Sequence, residues 1–146
     1  MATMKTVKVE AKLLDKFKIE ARARDHVVAI DQPAAGGGTD AGPTPLEYLL
    51  ISLAGCLASV ARIVAYQKKI TLRSMRVAVE GDLDLDVITG QNRIDRPGFK
   101  GIKISVAVDA DMPLAEKEAF LKEVESRCPV SDNIAGGTPV TVRLDE

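Results

Sequence analysis

Between Glu47 and Arg62 lie fourteen residues, Tyr48 to Ala61, that are apolar or small almost all the way round a helix. Thr44 can cap the start, Pro45 suits the first helical position, and Glu47 stands three residues after Thr44, the spacing of a reciprocal capping box. A long helix is therefore predicted within 43–67. Fourteen apolar residues bounded by charge are too few for a membrane span, which takes about 20. A helix without a wet face must instead be covered on all sides. In a chain of 146 residues that leaves about 120 others for the task, which is a thin supply. A second copy of the chain would solve the problem, so an intertwined homodimer is expected.

Size allows one domain, 1–146. A formal net charge of -1 argues against a broad basic surface, so neither nucleic acid nor an anionic membrane is an expected partner. Two cysteines with 71 residues between them do not make the disulfide framework of a small secreted domain. The Met1 end shows no apolar run beside a basic segment, so no signal peptide is expected and the location predicted is cytoplasmic.

Alternation of apolar and polar residues predicts strands over Val7–Leu13, Phe17–Arg24 and Val27–Ile30, with turns at Asp15-Lys16 and Asp25-His26. Gln32 to Pro43 is a glycine-rich loop without the spacing of a phosphate cradle. After the helix, Met75, Val77 and Val79 mark a strand, and Leu83, Leu85 and Val87 a second. The intervening Asp82, Asp84 and Asp86 lack calcium-loop spacing and read as a solvated strand face. Ile102 to Val108 is another strand. Pro113 opens an amphipathic helix with Leu114, Phe120, Leu121 and Val124 as apolar positions. A short helix follows Cys128-Pro129 and ends near Gly136-Gly137, and Val140, Val142 and Leu144 suggest a terminal strand. Strand groups without regular β-helix-β repetition give an α+β class.

Chemistry centres on two thiols. Cys56 lies on an apolar stripe with Leu49, Leu53 and Val60, where an inert core cysteine is the simplest reading. Cys128 sits at a helix start, where amide dipoles favour thiolate. Together they permit a redox cycle in which one thiolate attacks a peroxide oxygen, becomes a sulfenic acid and condenses with the other thiol. Which thiol would attack is not fixed by these residues. A metal site is not expected: His26 is the only histidine, and its ligand partners would have to converge from distant segments.

Gly42-Pro43-Thr44-Pro45-Leu46-Glu47-Tyr48-Leu49-Leu50, then Leu53-Ala54-Gly55-Cys56, then Cys128-Pro129-Val130-Ser131 resemble the OsmC/Ohr family of peroxide-reducing proteins. The resemblance implies an OsmC-like fold, with curved antiparallel sheets around long central helices in an intertwined dimer. It implies Cys56 as the peroxidatic thiol and Cys128 as the resolving thiol, organic hydroperoxides as substrates, and an external dithiol, such as a lipoylated protein, as reductant. It implies no bound cofactor or metal. The alternatives within the same resemblance are small-molecule binding and redox sensing with little peroxidase activity.

Two positions depart from the family pattern. Leu46 stands where relatives place a glutamate that supports a catalytic arginine. Glu47 follows one position later, and is the candidate carboxylate. Its nine-residue separation from Cys56 is roughly half a turn around an ideal helix, and the capping box already explains it. Leu13-Leu14-Asp15-Lys16 stands where a glycine pair and the peroxidatic arginine are expected. Lys16, Arg22, Arg24, Arg93 and Arg96 are the cations left to consider.

Overall fold

A computed structural model describes residues 1–145. The chain divides into two compact units, Met1–Leu49 and the residues from Leu50 on.

The first unit holds an antiparallel sheet of β1 (Glu10–Leu13), β2 (Ile19–Ala23) and β3 (His26–Ile30), in that order. The first turn falls where Asp15-Lys16 predicts it. Lys16 takes φ 51°, the Lys18 amide donates to the Asp15 carbonyl at 2.9 Å, and Leu14 bonds Lys18 at 2.8 Å. Arg24, with φ 55°, turns the second hairpin and pairs Ala23 with His26.

Asp31 is buried just after β3 and organises the glycine-rich loop. Its carboxylate accepts the Thr39 hydroxyl at 2.6 Å and the amides of Gln32, Thr39 and Ala41 at 2.8, 3.2 and 3.1 Å. Folded around this anion, the loop passes so close to other backbone that Gly38 and Gly42 have no room for a side chain. A Cβ would sit 2.0 Å from the Gln32 carbonyl oxygen at Gly38 and 2.2 Å from that of Ala29 at Gly42. The Thr39 hydroxyl, with the three amides behind it, outweighs burial and holds the Asp31 carboxyl down at about 2. Its folded value lies below the ordinary 3.8, so the stability it gives is complete above that pH and lost as pH falls toward 2. Acid titration should therefore release the Thr39 and Ala41 amides between about pH 4 and 2, followed by their NMR shifts. Asp31→Asn should remove that step and lower the Tm by several degrees at neutral pH.

The loop delivers the chain to α1 (Pro45–Gln67). The capping box forms as spaced: the Thr44 amide donates to Glu47 Oε2 at 2.7 Å and the Glu47 amide to Thr44 Oγ1 at 3.2 Å. One turn on, the Tyr48 hydroxyl donates to the Ala29 carbonyl at 2.8 Å. The helix closes on a Schellman pattern, with Lys69 left-handed at φ 58° and the Ile70 amide donating to the Ala65 carbonyl at 2.8 Å. At 23 residues α1 is long and apolar enough, by length and composition alone, to cross a bilayer, so the expectation drawn from the fourteen-residue stretch does not hold. Six of its residues (Leu53, Leu57, Val60, Ala61, Val64 and Ala65) are nevertheless buried in the core of the second unit. Coverage on every side is not what the chain provides: Ile51, Ile63 and Tyr66 are exposed.

The second unit contains β4 (Ser74–Asp82) and β5 (Gly101–Asp109), an antiparallel pair in register from Ser74↔Asp109 to Asp82↔Gly101. Met75, Val77, Val79, Ile102 and Val108 pack on the core, with Phe120 and Val124 of α3 (Leu114–Ser126). Leu114, expected on that apolar face, is exposed. The Leu83–Val87 strand does not form. The Asp84 carboxylate accepts the Asp86 amide at 2.9 Å and caps a short helix, α2 (Leu85–Ile88), so Asp82, Asp84 and Asp86 share no strand face. The last helix, α4 (Pro129–Gly136), starts and stops as read, with Gly137 left-handed at φ 66°.

The fold-class expectation needs correction. The chain is α+β, but its strands form two separate sheets of three and two strands where curved antiparallel sheets around long central helices were expected. The strands that would lengthen the sheets are missing among the described residues. Strand β1 begins at Glu10 rather than Val7, and residues 138–145 form none. Alternation alone does not make a strand without a neighbour to accept its hydrogen bonds.

Candidate functional site

The second unit brings Cys56 and Cys128 together. Cys56 is half-buried and packs on the core, while Cys128 belongs to that core and is 2% exposed. Both thiols are free. Each is placed by its element. Leu53, Leu57 and Val60 bury the α1 turns on either side of Cys56. Cys128 is the N-cap of α4, and its Sγ accepts the Ser131 amide at 3.5 Å. Pro129 at the first position makes this start legible, because its missing N–H has no helical partner to lose.

The electrostatics oppose the simplest expectation for a helix-start cysteine. Burial pushes the Cys128 thiol above its ordinary range, and the neighbouring Cys56 pushes the same way. The Ser131 and Val130 amides pull it down without reversing the direction. Cys128 is thus held as a thiol in apolar surroundings, with Cys56 within interaction range.

Four of the remaining candidates, Glu47, Arg22, Arg93 and Arg96, have local partners. Glu47 is engaged with Thr44 in the capping box at the start of α1. Arg22 pairs with Glu20 at 3.0 Å. Arg93 Nε donates to the Gly90 carbonyl and Arg96 Nη1 to that of Phe99, both at 3.4 Å. Two further arginines lie nearer the cysteines along the chain. Arg62, six residues after Cys56 on α1, donates to the Leu72 carbonyl at 2.8 Å. Arg127, next to Cys128, donates to Gln67 Oε1 at 3.0 Å and pairs with Glu123. Ser131 acts through its backbone amide, which nothing in its side-chain type advertises.

The family profile described as OsmC-like protein matches residues 37–143. The chain belongs to the OsmC/Ohr family. Among solved structures it is similar to the OsmC-like protein from Mycoplasma pneumoniae, at 22% identity and TM-score 0.80, covering 92% of this chain and 90% of that one. An organic hydroperoxide resistance protein OsmC from Legionella pneumophila matches at 22% identity and TM-score 0.68, covering 92% and 93%. A third, from Vibrio cholerae O1 biovar eltor, matches at 18% identity and TM-score 0.61, covering 93% and 88%, and is described as an organic hydroperoxide resistance protein with captopril in one of the active sites. None of the curated proteins matches this sequence. Identities this low mark a divergent OsmC/Ohr member whose likeness to these structures is one of fold.

Proposed function

We propose that this OsmC/Ohr member is a thiol-dependent peroxidase that reduces organic hydroperoxides to alcohols, with Cys56 attacking and Cys128 resolving. The observation that carries the reading is the meeting of two free thiols from distant parts of the chain in one apolar place. Cys56, the more exposed of the two, is the thiol a hydroperoxide can reach. Its thiolate attacks the terminal peroxide oxygen, the O–O bond breaks, and the alkoxide leaves and takes a proton to become the alcohol. Cys56 is then a sulfenic acid. The Cys128 sulfur attacks the Cys56 sulfur, the hydroxyl departs as water, and a disulfide remains. An external dithiol, of which a reduced lipoyl group is one, returns both thiols.

Apolar surroundings suit an alkyl peroxide and exclude competing water. Two free thiols suit a reducing compartment such as the cytoplasm. Glu47 enters through its capping box, which fixes the start of α1. A homodimer belongs to the same reading, since Ile51, Ile63 and Tyr66 would find apolar cover there.

Anaerobic mixing of the reduced protein with an alkyl hydroperoxide, followed by mass mapping, tests the proposal. One equivalent of alcohol and a Cys56–Cys128 disulfide are expected. Peroxide left unconsumed with both thiols free would end it.

A further inference from the structure

We propose that Cys128 is a redox-operated cap: closing its disulfide with Cys56 loosens α4 while α1 stays fixed, and reduction seats α4 again. This rests on the peroxidase reading only for the oxidant that closes the bond in the cell.

The two sulfurs are unbonded here, and a disulfide would draw them to about 2.05 Å with a dihedral near ±90°. One side has to give. Around Cys56, the α1 residues Leu53, Leu57, Val60, Ala61, Val64 and Ala65 are all buried. Moving that segment would open the core. Helix α4 buries none of its residues fully and touches the core through half-buried Val130 and Ile134. Beyond Gly137, residues 138–145 form no helix or strand, so α4 is not held from its far end by regular structure.

What holds the near end is Cys128 itself. Its Sγ accepts the Ser131 amide at 3.5 Å, an ordinary length for a sulfur acceptor, and its carbonyl accepts the Asp132 amide at 3.1 Å. The Sγ already faces Cys56 while it holds the Ser131 amide; drawing it in to covalent distance pulls the acceptor off Ser131 and leaves a first-turn amide without a partner. An eight-residue helix has little cooperativity with which to absorb that loss.

The chemistry balances. Two thiols give up two protons and two electrons; a hydroperoxide accepts them to become alcohol and water, and diamide accepts them to become its hydrazine. The motion has a use in the return half of the cycle. Cys128 is 2% exposed when reduced, so loosening α4 uncovers the disulfide to the dithiol that must break it.

Hydrogen exchange on the full chain, read by mass spectrometry, tests the switch in the reduced protein, the diamide-oxidised protein and Cys128→Ser. Serine keeps a good N-cap and cannot be oxidised. Amides of residues 131–136 should exchange about tenfold faster or more in the disulfide form, while residues 57–65 remain protected. Diamide should leave Cys128→Ser unchanged. Equal protection of α4 in both redox states would overturn the proposal. So would loosening of α1 instead, a diamide effect in Cys128→Ser, or failure of diamide to join the two cysteines. A disulfide that forms with diamide but not with an alkyl hydroperoxide would remove the peroxidase reading and leave the switch standing.

Discussion

Hydroperoxide consumption should fall on the order of 10³-fold when Cys56 is replaced by serine, because a hydroxyl is not appreciably ionised at neutral pH and the attacking thiolate is lost. Cys128→Ser should behave differently. Its first turnover should release one equivalent of alcohol, after which Cys56 stays a sulfenic acid and drifts to sulfinic acid with excess peroxide. Stopped-flow peroxide loss with mass analysis of Cys56 distinguishes the two. If Cys56→Ser kept more than a few per cent of wild-type turnover, Cys56 could not be the attacking group. The contrast rests on the unequal settings of the thiols: Cys56 half-buried on α1, and Cys128 buried with its proton held by its surroundings.

The largest loss of stability is expected from Phe120→Ala. Phe120 is 3% exposed and belongs to a core whose other buried members, among the described residues, are leucine, valine, alanine and Cys128. Removing a buried ring costs about 3–5 kcal/mol, part transfer and part cavity. For a chain of this length that is a fall in Tm of roughly 10–20 °C, measurable by calorimetry on the reduced protein. Lys122→Ala, from the exposed face of the same helix, should change Tm by no more than a degree or two, since surface substitutions usually lie within about 0.5 kcal/mol.

The sequence was most legible where a local chemical pattern sufficed. Thr44 and Glu47 bond each other as their spacing implies, Pro129 and Gly137 bound α4, and Lys16 turns the first hairpin. It was least legible where a neighbour decides the outcome. Val140, Val142 and Leu144 alternate like a strand but pair with no strand among the described residues, and Leu85 and Val87 yield to the Asp84 cap. The glycine loop reads as a connection because nothing local shows that Asp31 gathers its donors from eight and ten residues away. At the site, motif resemblance identified both cysteines. Neither their proximity nor the opposing effects of burial and amides on Cys128 follow from spacing, because both depend on how the helices pack.

Gly38 and Gly42 set a steric limit on variation in the loop, to which Gly37 adds a conformational one at φ 88°. Any library randomised across 32–43 should return glycine at positions 38 and 42, since even a methyl group would collide with a carbonyl there. Exposed Ala34 and Ala35 face no such filter. Divergent sequences can therefore drift widely along this segment, and two invariant points would still betray its shape.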